Sequence, residues 1–104
     1  MHMIDVGYLA NEYIEQFSSA DLSFGTYLIP AGGVDNQSPH TEDELYIVTT
    51  GRARIVTPSG TAQVGPGSVI FVPAQEEHRF VDITEDLALL VIFGPPYKSR
   101  AVAG

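Results

Sequence analysis

The chain has 104 residues, no cysteine, and thirteen acidic against five basic side chains, for a formal charge of −8. A chain this short holds one core, burying roughly 65% of the surface it exposes when unfolded, and without thiols it has neither disulfides nor thiolate metal sites. The acidic balance repels phosphate backbones and anionic lipid, so nucleic acid and membrane are excluded as partners.

No apolar run is long enough to cross a bilayer, and the Met-His-Met start lacks the basic and apolar regions of a secretory signal. A soluble, unexported, cytoplasmic protein is expected. In residues 6–17 the apolar side chains Leu9, Tyr13, Ile14 and Phe17 recur at spacings of four, one and three, which predicts a short N-terminal helix with Asn11, Glu12, Glu15 and Gln16 on its wet face. Residues 22–29, Leu-Ser-Phe-Gly-Thr-Tyr-Leu-Ile, are rich in strand formers and are broken by Pro30-Ala31-Gly32-Gly33. Residues 34–39 have no apolar period and read as a loop over the mouth of the fold, either a connection or a lid.

Residues 38–51 read Ser-Pro-His-Thr-Glu-Asp-Glu-Leu-Tyr-Ile-Val-Thr-Thr-Gly. His40 and Glu44 are four apart where a loop enters a β-branched and aromatic run, so alternation turns both to one face. Residues 52–57 and 61–64 form further strands joined by a reversal at Pro58-Ser59-Gly60. Residues 68–72, 78–83 and 87–93 are also strands, with breaks at residues 73–77 and at Thr84-Glu85-Asp86. Strands recurring about every ten residues with no helical pattern between them predict an all-β antiparallel barrel or sandwich. Residues 87–93 are apolar at every position, and a strand with one wet face should alternate. Covering such strands on both faces calls for a homodimer or for a second sheet of the same chain.

The stretch around His40 and Glu44 and a second stretch, residues 67–78, resemble the paired motifs of the cupin superfamily. Gly33, His40, Glu44 and Gly51 follow the first motif with a one-residue difference in spacing after the glycine, and Gly67, Pro73, His78 and Asp82 follow the second. The resemblance spans about residues 23–93. It implies a single cupin domain, a double-stranded β-helix or jelly-roll barrel over residues 22–94, with the helical extension before it and a tail at 95–104. It also implies one divalent metal held by His40, Glu44 and His78. Ser38 stands where the family's first metal histidine is usual and Gln75 where a glycine follows the proline. Two readings of Ser38 stand: a ligand position left to water, or a cupin that has abandoned metal. Glu42 and Gln37 are the oxygen donors in reserve.

Two imidazoles and a carboxylate suit Fe, Mn, Ni or Zn as divalent ions, and on iron they leave positions for oxygen and substrate. Tyr46, two residues after Glu44, and Phe80, two after His78, are expected to point inward. Tyr46 is the candidate catalytic side chain and otherwise core, with Tyr27 a weaker candidate from a neighbouring strand. The expected function is a metal-dependent, dioxygenase-like enzyme acting on a small chelating molecule. The alternatives are a non-redox isomerase, lyase or decarboxylase, and a small-ligand-binding or sensor module without turnover.

Overall fold

The computed structural model describes residues 1–101, so the last three residues of the expected tail, 102–104, lie outside the described residues. Six strands form one antiparallel system: β1 (Ile14–Ser18), β2 (Ser23–Ile29), β3 (Asp43–Thr57), β4 (Gly60–Val64), β5 (Val69–Val72) and β6 (Arg79–Gly94). Their order is β1-β2-β6-β3-β4, with β5 also paired to β3. Glu44 to Ile47 of β3 lie between β5 and β6, while Ile55 and Val56 further along lie between β4 and β6. The two long central strands thus carry both halves of the sheet, and side chains from both halves meet in one core: Tyr46, Val48, Leu89 and Val91 from one, Ile55, Val64, Phe80 and Ile83 from the other. Each fully buried large apolar side chain contributes roughly 1.5–3 kcal/mol relative to exposure.

Alternation sets the inward face. Glu44, Tyr46 and Val48 of β3 are buried and Leu45 and Ile47 are not, as the period of two requires. In β6, Leu87, Leu89, Val91 and Phe93 point inward, while Leu90 and Ile92 are only half-buried.

Two expectations are corrected. Among the described residues there is no helix, and the last third of the segment expected to be helical, from Ile14 on, belongs to β1, paired with β2. Ile14 pairs with Thr26, Glu15 with Gly25 and Phe17 with Phe24. Gln16 is therefore an extra residue, a bulge that lets Ile14 and Phe17, three apart, share one face of a strand. Tyr13, just before it, lies across Gly25, where any Cβ would come within 2.4 Å of its ring. The expected breaks within residues 45–57 and at Thr84-Glu85-Asp86 are not chain reversals. Both strands run on, with register shifts between Val48 and Arg54 that bend them. Gly51 makes the bend possible: its φ is +96°, and a Cβ there would lie 2.2 Å from the Asp86 carbonyl oxygen.

Candidate metal site and adjoining cavity

The candidate ligands come from two loops and the strand that one of them enters. Glu44 and Tyr46 project inward from the start of β3, whereas His40 precedes that strand and His78 precedes β6. Backbone bonds stitch the loops together. The Gln75 amide donates to the His40 carbonyl at 2.7 Å, and the Ala74 amide donates to Asp43 Oδ1 at 2.9 Å. To make its bond, Gln75 adopts φ +68°, the left-handed conformation in which the family's glycine costs nothing and a side chain costs roughly 1–2 kcal/mol.

Five polar atoms close a ring. Gln37 Oε1 lies 3.1 Å from His40 Nε2, which lies 3.6 Å from Glu44 Oε1. That oxygen is 3.1 Å from His78 Nε2. Tyr46 completes the circuit, its hydroxyl 2.9 Å from both His78 Nε2 and Gln37 Oε1. One ligand atom from each of His40, Glu44 and His78 falls within 4.8 Å of the others. Donors bound at about 2.1 Å to one ion are separated by roughly 3–3.4 Å, the edge of an octahedron or tetrahedron. The ring therefore has the spacing of a coordination shell drawn slightly open.

Hydrogen bonding supports the same fit. His78 Nδ1 lies 3.0 Å from the Glu76 carbonyl, which can only accept, so the proton sits on Nδ1 and Nε2 faces the ring. A partner of this kind orients a ligating imidazole. Glu44 is 2% exposed, yet among the described residues neither carboxylate oxygen has a hydrogen bond of ordinary geometry, and its near neighbour is the ring nitrogen His78 Nε2, 3.1 Å from Oε1. A buried carboxylate without a donor is costly, and a cation between it and the two imidazoles removes that cost. The residues present fit a divalent ion of the manganese-to-zinc series, which takes imidazole and oxygen donors.

Electrostatics separate the two histidines. Burial pushes His40 down from its ordinary value, partly offset by Glu44, and the neighbouring His78 lowers it further. For His78 burial acts the same way, but the interactions with Glu44 and the Glu76 carbonyl outweigh it and hold the imidazole above its ordinary value. Burial, reinforced by Glu44, keeps the Tyr46 hydroxyl protonated well beyond the ordinary phenol range.

The sequence candidates divide clearly. His40, Glu44, His78 and Tyr46 come together, and Phe80 packs edge-on beneath Tyr46 with centroids 5.0 Å apart. Glu42 does not join them. Its carboxylate accepts from the Thr41 hydroxyl and from the backbone amides of Lys98 at 2.7 Å and Arg100 at 3.0 Å, so it anchors the C-terminal segment. Ser38 is exposed and lines an outer hollow with Thr41, Glu42 and Lys98, on the far side of His40 and Tyr97 from the cavity that opens onto Glu44. Of the two reserve donors, Gln37 is the one on the ring. Asp35 escaped sequence reasoning, since an acid in an aperiodic loop carries no positional signal. It is 2% exposed, its Oδ2 accepts from the Phe80 amide at 2.9 Å, and its Oδ1 has no partner.

A cavity of about 390 Å³ opens onto His40 and Glu44. Tyr13, Phe93 and Tyr97 pack on one another as one wall, with Tyr97 stacked on Phe93 at 4.7 Å. The loop at 34–39, read as a connection or lid, supplies Val34, Asn36 and Gln37, and Tyr27 reaches in from β2. A larger hollow, about 910 Å³, contains none of the candidate ligands. Its Arg52 and Arg54 lie 3.4 and 3.8 Å from Glu85 and Asp82, and all four side chains are mostly exposed.

Comparison with known proteins places this geometry. Residues 25–93 match the family described as Cupin domain, Cupin_2. An uncharacterized protein of Streptomyces coelicolor is 45% identical over 84 residues, 81% of this chain and 80% of that protein. Among solved structures, the DMSP lyase DddQ from Ruegeria pomeroyi superposes with a TM-score of 0.70 at 22% identity, over 82% of this chain; the chain spans only 42% of the lyase. KdgF from a Halomonas species gives 0.71 at 19% identity, covering 80% of this chain and 76% of that one. A cupin 2 conserved barrel domain protein from Salinispora arenicola gives 0.70 at 19%, covering 89% and 87%. At these identities the structural likeness speaks to the fold.

Proposed function

We propose, from the premise that this chain belongs to the cupin domain family, that it is a small metal-dependent enzyme. His40, Glu44 and His78 hold one divalent ion, and the cavity beside them receives a small organic molecule with chelating oxygens. The observation that carries this reading is the buried Glu44 carboxylate, without a donor on either oxygen and facing two imidazole nitrogens.

An ion of iron, manganese, nickel or zinc would supply Lewis acidity there and, as iron, the capacity to use oxygen. The protein's own residues do the rest. Glu76 fixes the His78 ring through Nδ1, and Gln37 Oε1 accepts from the Tyr46 hydroxyl. The wall of Tyr13, Phe93 and Tyr97 limits water on one side of the cavity.

The reaction class we infer first is dioxygenase-like, since three protein donors leave room for substrate and oxygen. A second reading, a non-redox lyase or isomerase, is favoured by Tyr46, whose hydroxyl lies beside the ligand set, 2.9 Å from His78 Nε2, and is kept protonated by burial as a proton donor for the site. Oxygen uptake by the Fe(II) form with substrate present distinguishes them: product without oxygen consumption, lost in Tyr46→Phe, supports the second.

The metal reading has its own test. At metal about a hundredfold above its Kd the fold should gain roughly 2.7 kcal/mol, raising Tm by about ten degrees or more. His78→Ala should remain folded and lose that shift, and an equal response from both proteins would refute the site.

A further inference from the structure

The chemistry of the cavity wall limits the charge of whatever occupies it. Glu12 and Glu44 line the cavity, and no lysine or arginine does. The chain has five basic residues, Arg52, Arg54, Arg79, Lys98 and Arg100. Arg52 and Arg54 line the hollow that contains no candidate ligand. Lys98 is exposed and lies over the Tyr97 ring, 5.3 Å from its centroid, in the outer hollow beside Ser38 that meets the cavity at His40 and Tyr97; Arg79 is exposed in a hollow behind His78. Asp35, buried among the site's neighbours with an unpartnered oxygen, adds negative charge. The polar groups offered to a ligand are otherwise neutral: the amides of Asn11, Asn36 and Gln37 and the Tyr27 hydroxyl.

One carboxylate and two neutral imidazoles leave a divalent ion with a single positive charge. A bound chelating group can therefore carry one negative charge and be neutralised. A second anionic group on the same molecule would meet no lysine or arginine on the cavity wall, in a site of reduced dielectric where an uncompensated charge is costly. At about 390 Å³ the cavity is also near the small end of ligand pockets, roughly 300–1,000 Å³.

We infer that the substrate is a small molecule whose only anionic group, once bound, is the chelating one, with an uncharged aromatic or apolar body against Tyr13, Phe93 and Tyr97. Phosphorylated compounds and dicarboxylates are excluded. This rests on the metal reading above and adds a charge requirement to it.

The test uses two probes with the same pair of chelating oxygens, 4-methylcatechol and 3,4-dihydroxybenzoate, titrated against the full chain loaded with Co(II) and followed by the visible absorption of the metal. The methyl compound should bind at least tenfold tighter, and the gap should shrink in Glu12→Lys and at high salt. Equal binding, or a preference for the carboxylate, overturns the charge requirement while the metal spectrum still stands. If the protein gives no Co(II) spectrum beyond that of His78→Ala, the metal reading fails and this inference falls with it.

Discussion

Glu42 and Glu44 stand two residues apart at the entry to β3, 1% and 2% exposed, and their carboxylates meet opposite surroundings. Glu44 has no donor and faces two imidazoles, while Glu42 has three hydrogen-bond donors and is fully used by them. Burial opposes the charge on Glu42, but the bonds from Thr41, Arg100 and Lys98 outweigh it and hold the carboxyl below its ordinary value of 4.5. A depressed folded value gives stability that is present above about 4.5 and lost as the pH falls through the folded value. Glu42→Gln should therefore cost roughly 1–3 kcal/mol at neutral pH, with faster amide exchange at Lys98 and Arg100. The difference from wild type should narrow in acid, and an unchanged difference between pH 7 and pH 3 would contradict this role. Motif spacing set Glu44 apart as a ligand and left Glu42 in reserve, but nothing in the sequence pointed to the C-terminal amides that Glu42 binds. His40, Glu44, His78 and Tyr46 were legible because strand alternation and two spaced motifs converge on them. Gln37 was legible only as a reserve donor, and Asp35 not at all, because loop positions have no period to read.

At the scale of elements, β1 shows how a bulge imitates a helix. The one residue gained at Gln16 converts a spacing of two into three, so the apolar period of the N-terminal segment was real and its geometric cause was misassigned. The long strands failed differently. Thr84-Glu85-Asp86 is polar and exposed, as a turn would be, yet Glu85 still pairs with Arg52 across the β3–β6 ladder. Exposure on a bent strand and exposure on a turn leave the same mark in a sequence. The bend depends on Gly51, and Gly51→Ala combines an unfavourable φ with a collision against the Asp86 and Leu87 backbone. The expected loss is at least about 2 kcal/mol, read as a lower denaturation midpoint. A change within about 0.5 kcal/mol, the size of ordinary surface substitutions, would show that the bend does not need glycine.

For the whole molecule, strands apolar at every position resolve into an inner and an outer set. The inner set fills the core. On the outer face, paired neighbours place Phe71, Leu45, Ile92 and Phe24 in one row and Val69, Ile47 and Leu90 in the next. Val69 and Phe71 are each 61% exposed, and nothing among the described residues covers them. These rows carry no charge on a chain of −8, so this is the face on which two copies can approach with least repulsion, and apolar patches of this kind mark association sites. We propose a second copy as its occupant. Sedimentation at micromolar concentration should give twice the 11.2 kDa of one chain, and Phe71→Glu should return the monomer. A wild-type species at 11.2 kDa would remove the proposal.

The ring around Glu44 is tested by the metal content of the chain after equilibrium dialysis against Fe(II), Mn(II), Ni(II) or Zn(II), without an affinity tag, beside His78→Ala and Glu44→Gln. One ion per wild-type chain is expected for at least one of these metals, with loss of that ion in both variants. Wild type retaining no more of any metal than the two variants do would contradict it.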